Sequence, residues 1–507
     1  EYYKLGKDLI NKNPAESFAN FLKSANQGNV KAQLRVAISY QSGINGAKKN
    51  LEEANKYYQL AANQGNMKAQ CNLAFNMQKG DGIEKDIKAA NALYKKSADL
   101  GYSIAQFNYA YNLMNGIGID KDYKEASRYF KLAADQGLSN AQYSYGLNLM
   151  KGSGVEKDTV EAIKYLKMSA DSGNAQAQCQ LAINYMNGVG VEKDLTESYR
   201  YNKMAADQGN PRAICNCAFA LQNGNGVDKD LTQANNLYKL AADKKYALAQ
   251  LSYGLNLENG TGIDRNVIEA NKYYKMAADQ GNSNAQYNYG MNLFKGNGIK
   301  KDIVAANNYL KMSSEQNNNK AMYQYGINLL KGNGCDKNPE LANQYLKKSA
   351  DAGNVNAQFY YGYNLYNGNG IEKNPEEANK YYKLAADKGN ANCQCNLACS
   401  YLNGIGVPKD LQMANKYYKM SADQGNSVAQ YNYGYHLLNG TGVETDVEKA
   451  IEYLQMAAES NNSSALYHLA ICYENGTGVE INLQKSKELL KKSESLGNKL
   501  AKRKLGK

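Results

Sequence analysis

The chain of 507 residues has no tryptophan, two histidines and five prolines. No apolar run approaches the roughly 20 residues of a membrane-spanning helix, and no secretory leader is legible at the N-terminus. Glu1 opens inside a repeat rather than at a methionine, so an N-terminal extension of the natural chain is expected to have been trimmed. Cysteine numbers nine, an odd count without regular spacing. A disulfide framework would recur with the architecture, so reduced thiols and a cytoplasmic location are expected. The excess of basic residues, 60 against 48 acidic, is spread thinly. It hints at acidic partners without making a nucleic-acid footprint.

What is present is a repeat. Ala69-Gln70 recurs as Ala105-Gln106, Ala141-Gln142 and Ala177-Gln178, each 36 residues on. The register continues through Ala213, Ala249, Ala285, Ala321, Ala357, Cys393, Ala429, Ala465 and Ala501, and begins at Ala32 with one extra residue in the loop Gly43 to Gly46. Such periodicity belongs to stacked supersecondary units. Thirteen complete repeats are expected over 29–497, with partial units at 1–28 and 498–507.

Each unit reads as two helices, A and B. In the stretch from Asn284, helix A ends at Gly296-Asn297-Gly298 and helix B runs from Asp302 to about Glu315. Glycine supplies the positive-φ residue after a helix. An Asp or Asn stands at the helix B N-cap in every complete repeat, from Asn50 and Asp86 to Asn482. Glu53, Glu125, Glu161 and Glu197 follow three residues later, the place of a capping-box partner. Pro14, Pro339 and Pro375 occupy the first helical position. Asn317, Asn461 and Lys245 replace the closing glycine; asparagine tolerates that conformation, whereas Lys245 predicts a local distortion.

With the repeated alanine of helix A as position zero, positions +2, +4, +5, +6 and +8 are small or apolar, as in Phe107, Tyr109, Ala110, Tyr111 and Leu113. A helix apolar so far round predicts burial on several sides. Positions +3 and +7 are left as a narrow polar arc, one turn apart. Helix B carries one apolar stripe, such as Leu51, Ala54, Tyr57, Tyr58, Ala61 and Ala62, with Lys, Asn, Asp and Gln opposite. Helix A is therefore expected to line the inside of the stack and helix B the convex outside.

The string A-Q-x-x-[YL]-[AG]-x-x-L-x-x-G-x-G-[IV]-x-[KD]-D-x-x-x-A-x-x-[YF]-[YF]-x-x-A-A-x-x-G, as in Ala141 to Gly173, resembles the Sel1-like repeat, a relative of the tetratricopeptide repeat. Departures are Lys245, Asn317, Ser198, Ser486 and Cys393. The resemblance implies an all-α, right-handed superhelical solenoid of about fourteen helical hairpins. It also implies a non-catalytic scaffold or adaptor for protein complexes. Two alternatives stay open: a nucleic-acid-binding helical array, and a regulatory array attached to a catalytic domain outside this segment.

The candidate binding residues lie on the helix A polar arc. They are Asn72, Asn108, Asn216, Asn288, Asn396, Asn432 and His468 at +3, with Asn76, Asn112, Asn148, Asn184, Asn256, Asn292, Asn328, Asn364 and His436 at +7. A carboxamide donates and accepts at once, matching a peptide unit, so a rank of them could grip an extended chain. The competing reading is a solvated wall in an asparagine-rich chain. His436 and His468 are expected to face the same groove. The Gly-x-Gly turns follow helices and recur, unlike a phosphate loop. Cys393, Cys395 and Cys399 could suggest a metal, but Cys71, Cys179 and Cys215 share the +2 core position with Cys395, where a thiol acts as apolar filler. The helix B tyrosine pairs, such as Tyr273-Tyr274 and Tyr381-Tyr382, lie on the apolar stripe and are expected in the core. Serine and cysteine lack a phased histidine partner, so no catalytic, cofactor or metal residues are assigned. The expected partners are proteins or extended peptides, not nucleic acid or membrane.

Overall fold

The computed structural model describes residues 1–506; Lys507, the last residue of the C-terminal partial unit expected at 498–507, lies outside the described residues. Among the described residues every regular element is a helix, α1 to α29 in chain order. The odd-numbered helices are helix A of each unit and the even-numbered ones helix B. The chain divides into two compact units, Glu1–Ala249 with Thr261–Asp264, and Gln250–Gly260 with Arg265–Lys507; the division falls within α15 (Ala247–Asn259).

One repeat of the first unit shows the local causes. Asn66 caps α5 (Met67–Lys79), its side chain accepting from Ala69 N at 3.0 Å. Capping of helix A by asparagine recurs, at Asn174 and Asn210 for example, although Tyr102 and Leu138 offer no side-chain cap. Gly80 then ends α5 with φ 84°, and the turn closes when Asp86 N donates to Met77 O at 3.1 Å. Asp86 caps α6 (Ile87–Asp99), accepting from Ala89 N at 2.9 Å. At the far end Gly101 N and Tyr102 N donate to Ala98 O and Ser97 O, the paired bonds of a Schellman stop.

The capping-box half of this pattern differs from expectation. The carboxylates of Glu53, Glu125, Glu161 and Glu197 pair instead with Lys56, Arg128, Lys164 and Arg200, three residues on, at 3.5, 2.7, 2.6 and 2.7 Å. The cap N–H groups are already engaged, Asn50 N, Asp122 N, Asp158 N and Asp194 N donating to Tyr40 O, Leu113 O, Leu149 O and Tyr185 O of helix A, so the carboxylates turn to the cation one turn on.

Lys245 also departs from expectation, because no distortion follows it. The residue takes φ 62°, and Lys245 N and Tyr246 N donate to Ala242 O and Ala241 O at 2.9 and 3.1 Å, as after a glycine. The roughly 1–2 kcal/mol of left-handed backbone is tolerated because those two bonds and the repeat packing hold it.

In each unit the repeated alanine is fully buried, as at Ala69, Ala105 and Ala141 in the first and Ala285, Ala357 and Ala429 in the second. The helix B tyrosine pairs are buried as expected, Tyr273-Tyr274 and Tyr381-Tyr382 among them. Tyr145 meets Tyr165 edge to face at 4.8 Å, and Tyr361 meets Tyr381 in the same way at 4.8 Å. Such contacts add to area burial.

Candidate functional site

The +7 residues do not form an open strip. Asn76, Asn112, Asn148, Asn184, Asn256, Asn292, Asn328, Asn364 and His436 are all buried, none more than 7% exposed. At ~100° per residue, +7 falls about 20° from position zero, the most buried point of the helix. Their amides are spent within the fold. Asn76 Nδ2 donates to Asn55 Oδ1 of the preceding helix B at 2.7 Å, and Asn55 Nδ2 donates to the Asp81 carbonyl at 2.8 Å. The same relay joins Asn112 to Asn91 and Ile117 O, Asn292 to Asn271 and Asn297 O, Asn328 to Asn307 and Asn333 O, and Asn364 to Asn343 and Asn369 O. Asn148 donates to Ser127 Oγ, which donates to Ser153 O. Asn184 lacks such a partner because Ile163 stands opposite; it accepts from Gln180 Nε2 at 3.2 Å. Pairing of the amide nitrogens is what makes this burial tolerable, although the buried Asn76 Oδ1 has no hydrogen-bond partner.

A second buried amide relay uses the glutamine after the repeated alanine. Gln106 Nε2 donates to Ala98 O at 3.1 Å and its Oε1 accepts from Gln136 at 2.8 Å; Gln394 does the same with Ala386 O and Gln424. These polar cores escaped the sequence reading, which counted amides as surface.

The +3 residues Asn72, Asn108, Asn216, Asn288, Asn396, Asn432 and His468 are half-buried. Several lean on helix B: Asn72 hydrogen-bonds the Tyr58 hydroxyl, whose pKa burial pushes up to about 12, and Asn216 Nδ2 donates to Asn202 Oδ1 at 3.1 Å.

The outward position is +6, which the apolar pattern had placed in the core. Ile38, Phe75, Tyr111 and Phe219 in the first unit, and Leu255, Tyr363 and Tyr435 in the second, are 36–51% exposed. Ile183 and Met291 are half-buried at +6 and Ile327 is buried, but seven large apolar side chains exposed at one recurring position exceed the scattered exposure normal for a surface. The charges around it are one-sided in the first unit. Helices α3 (Val30–Ser42), α5, α7 (Ser103–Asn115), α9 (Ser139–Lys151), α11 (Ala175–Asn187) and α13 (Pro211–Asn223) carry Lys31, Arg35, Lys68, Lys79, Lys151 and Arg212 and no Asp or Glu. None of those six cations forms an ion pair among the described residues; Lys79 lies over the Phe75 ring at 4.3 Å.

Cavities open along this face. In the first unit one of about 340 Å³ is lined by Ile183, Met186, Asn216 and Phe219 among others. In the second unit Tyr363, Asn396 and Cys399 share one of about 150 Å³, and Leu255, Asn288 and Lys320 share one of about 540 Å³. Positions +3 and +6 thus border the same openings.

The two histidines do not share a surface. His436 is buried, with Nδ1 at 2.7 Å from Asn415 Oδ1, whereas His468 is half-buried between Tyr431, Tyr435 and Tyr467 at 5.7, 4.9 and 5.2 Å. Burial holds the His436 pKa below its ordinary 6.5. Above that value the ring is neutral in folded and unfolded chains alike. As pH falls through it the unfolded chain takes up a proton that the folded chain resists, so stability falls. The urea midpoint is therefore expected to drop between pH 7.5 and 5.5. His436→Asn, restoring the residue of other repeats, should reduce that drop; an unchanged slope would contradict it.

Of the cysteine run, Cys393 and Cys395 are buried and Cys399 half-buried at +6, its Sγ 3.1 Å from the Tyr418 hydroxyl. Hydrogen bonds from Cys395 and Tyr418 hold the Cys399 thiol below its usual range, while Cys395 is pushed up. All nine cysteines are unpaired.

Fourteen stretches match the Sel1 repeat model: residues 1–29, 30–66, and twelve in succession over 68–498. The chain belongs to the Sel1 repeat family. Among solved structures it is similar to a protective antigen of uropathogenic Escherichia coli strains displaying an SLR fold. That likeness has 28% identity and a TM-score of 0.65, over 89% of this chain and 92% of the antigen. A Sel1 repeat protein from Oxalobacter formigenes is 31% identical over 47% of this chain and 96% of its own, with a TM-score of 0.44. No curated protein matches the chain. Sel1 and related tetratricopeptide-like repeat proteins generally mediate protein–protein interactions, and the family is generally non-catalytic. No helix among the described residues is long and apolar enough to cross a membrane.

Proposed function

We infer that this Sel1 repeat protein is a non-catalytic scaffold or adaptor whose partners dock on the exposed face of the helix A rows. The observation that carries the reading is the row of outward +6 side chains, Phe75, Tyr111 and Phe219 foremost, set among unpaired cations. Aromatic and aliphatic anchors with a polar margin are what a protein interface needs. The half-buried +3 amides of Asn108, Asn288 and Asn432 then border the row, and the +7 residues support it from behind. The unpaired thiols fit the cytoplasmic location expected from the sequence.

A photo-crosslinking residue placed at Tyr111 or Tyr363 is expected to capture partner proteins in cells. The same residue at exposed Lys124 on helix B should capture few. Equal yields from both faces would sink the reading.

The six unpaired cations also favour a second reading, a nucleic-acid-binding array. They number at most two per helix, with none on α7 or α11, sparse beside a phosphate charge every ~1.7 Å of duplex. Strong, salt-sensitive retention on heparin would favour it over the first.

A further inference from the structure

One repeat of the first unit breaks the pattern at several places that converge. Eight residues after the helix B cap stand Tyr58, Tyr94, Phe130, Leu166 and Tyr238, each almost wholly buried. In α12 (Leu195–Asp207) the residue there is Asn202. Five residues after the cap, where Asn55 and Asn91 begin the amide relay, α12 has Tyr199; opposite it, at +7 of α13, Ala220 replaces asparagine. Ser198 replaces the repeat's alanine and satisfies itself by donating to Ala182 O at 2.7 Å. These four departures line one cavity of about 340 Å³.

The cavity lies where other repeats bury a large side chain, an aromatic ring in four of the five just named. A water's share of liquid is about 30 Å³, and specific ligand pockets begin near ~300 Å³, so the volume is far beyond a packing defect. Its wall is apolar at Ile183 and Met186, and the exposed ring of Phe219 borders it. Asn202 accepts from Asn216, yet neither the Asn202 side-chain nitrogen nor the Tyr199 hydroxyl donates to any group among the described residues. Arg212 also lines the cavity, exposed and without an ion pair.

We propose that this cavity is a specificity pocket that takes one aromatic side chain from an acidic segment of a partner protein. The ring stands where other repeats place their own tyrosine, and a neighbouring carboxylate meets Arg212. Charge complementarity decides the partner's sign, because the six helix A segments from α3 to α13 offer cations and no acid. The proposal rests on the reading that partners land on this face, and it adds what one position on that face selects.

The test uses the full chain and three small probes in ligand-observed NMR: N-acetyl-tyrosine, its uncharged amide, and N-acetyl-aspartate. The expected order is N-acetyl-tyrosine, then the amide, then N-acetyl-aspartate. Asn202→Tyr fills the pocket with the repeat's usual residue and is expected to weaken N-acetyl-tyrosine at least about tenfold. Arg212→Gln, an exposed change, should remove the preference for the acid over the amide while leaving the amide's affinity unchanged. The proposal is overturned if folded Asn202→Tyr binds the tyrosine probe like the wild type, or if Arg212→Gln keeps the acid preference. It is also overturned if a single-stranded oligonucleotide displaces the probe better than an aspartate-rich peptide with one tyrosine. Crosslinking at Tyr111 that persists through such a failure would show that the pocket failed and the docking face did not.

Discussion

Replacing Gly154 by alanine is expected to destabilise the chain by about 2–5 kcal/mol, far more than the same change at Gly137. Both glycines have left-handed backbone, φ 70° and φ 87°. That conformation alone costs an L-residue roughly 1–2 kcal/mol. The difference lies in what surrounds them. A Cβ on Gly154 would stand 1.9 Å from the Tyr123 carbonyl oxygen and 2.1 Å from its carbon, whereas nothing lies within 4 Å of one on Gly137. The obstacle is backbone at the start of α8 (Tyr123–Asp135), so no rotamer relieves it, and forced overpacking adds roughly 1–3 kcal/mol. Gly226 is held in the same way, 2.0 Å from Leu195 O. The second glycine of each Gly-x-Gly turn therefore sets the distance between successive repeats, while Gly137 only stops a helix. Urea midpoints at unchanged m-value measure the comparison; equal losses at both sites would refute the steric account.

The second large effect is a coupling. Asn112→Ala should cost about 1–3 kcal/mol, because it leaves the buried Asn91 Oδ1 without its 2.7 Å donor. Asn91→Tyr alone should also destabilise by roughly 1–3 kcal/mol through overpacking against Asn112. Together the changes import the Tyr199–Ala220 pair found three repeats on, in which a larger side chain faces a smaller one. Ile451 facing Cys472 in the second unit follows the same exchange. The double variant is expected to lie about 1–2 kcal/mol above the sum of the two losses, within the range for residues in direct contact. Strict additivity would mean that these positions do not act as a facing pair.

The repeat register, the helix boundaries and the caps were legible because they depend on local chemistry. Gly80 and Asp86 act on the turn they occupy, and periodic alanine marks the tightest packing wherever a helix stacks. The site was legible only in part. Within helix A, +6 and +7 were exchanged, so Tyr111 was read as core and Asn112 as surface. Two facts in the sequence pointed the other way. Position +7 lies beside position zero on the helical wheel, and an asparagine on helix B recurs 21 residues before it, as Asn91 does before Asn112.

By itself the sequence determined a stack of capped helical pairs, since period, cap and turn residues are written within each 36-residue unit. Only the tertiary structure decided which side of helix A meets solvent. An asparagine satisfied by a facing asparagine can be buried at little cost, and a tyrosine with no facing partner is left outside. Whether such a partner exists depends on the neighbouring helix and not on the residue's own polarity.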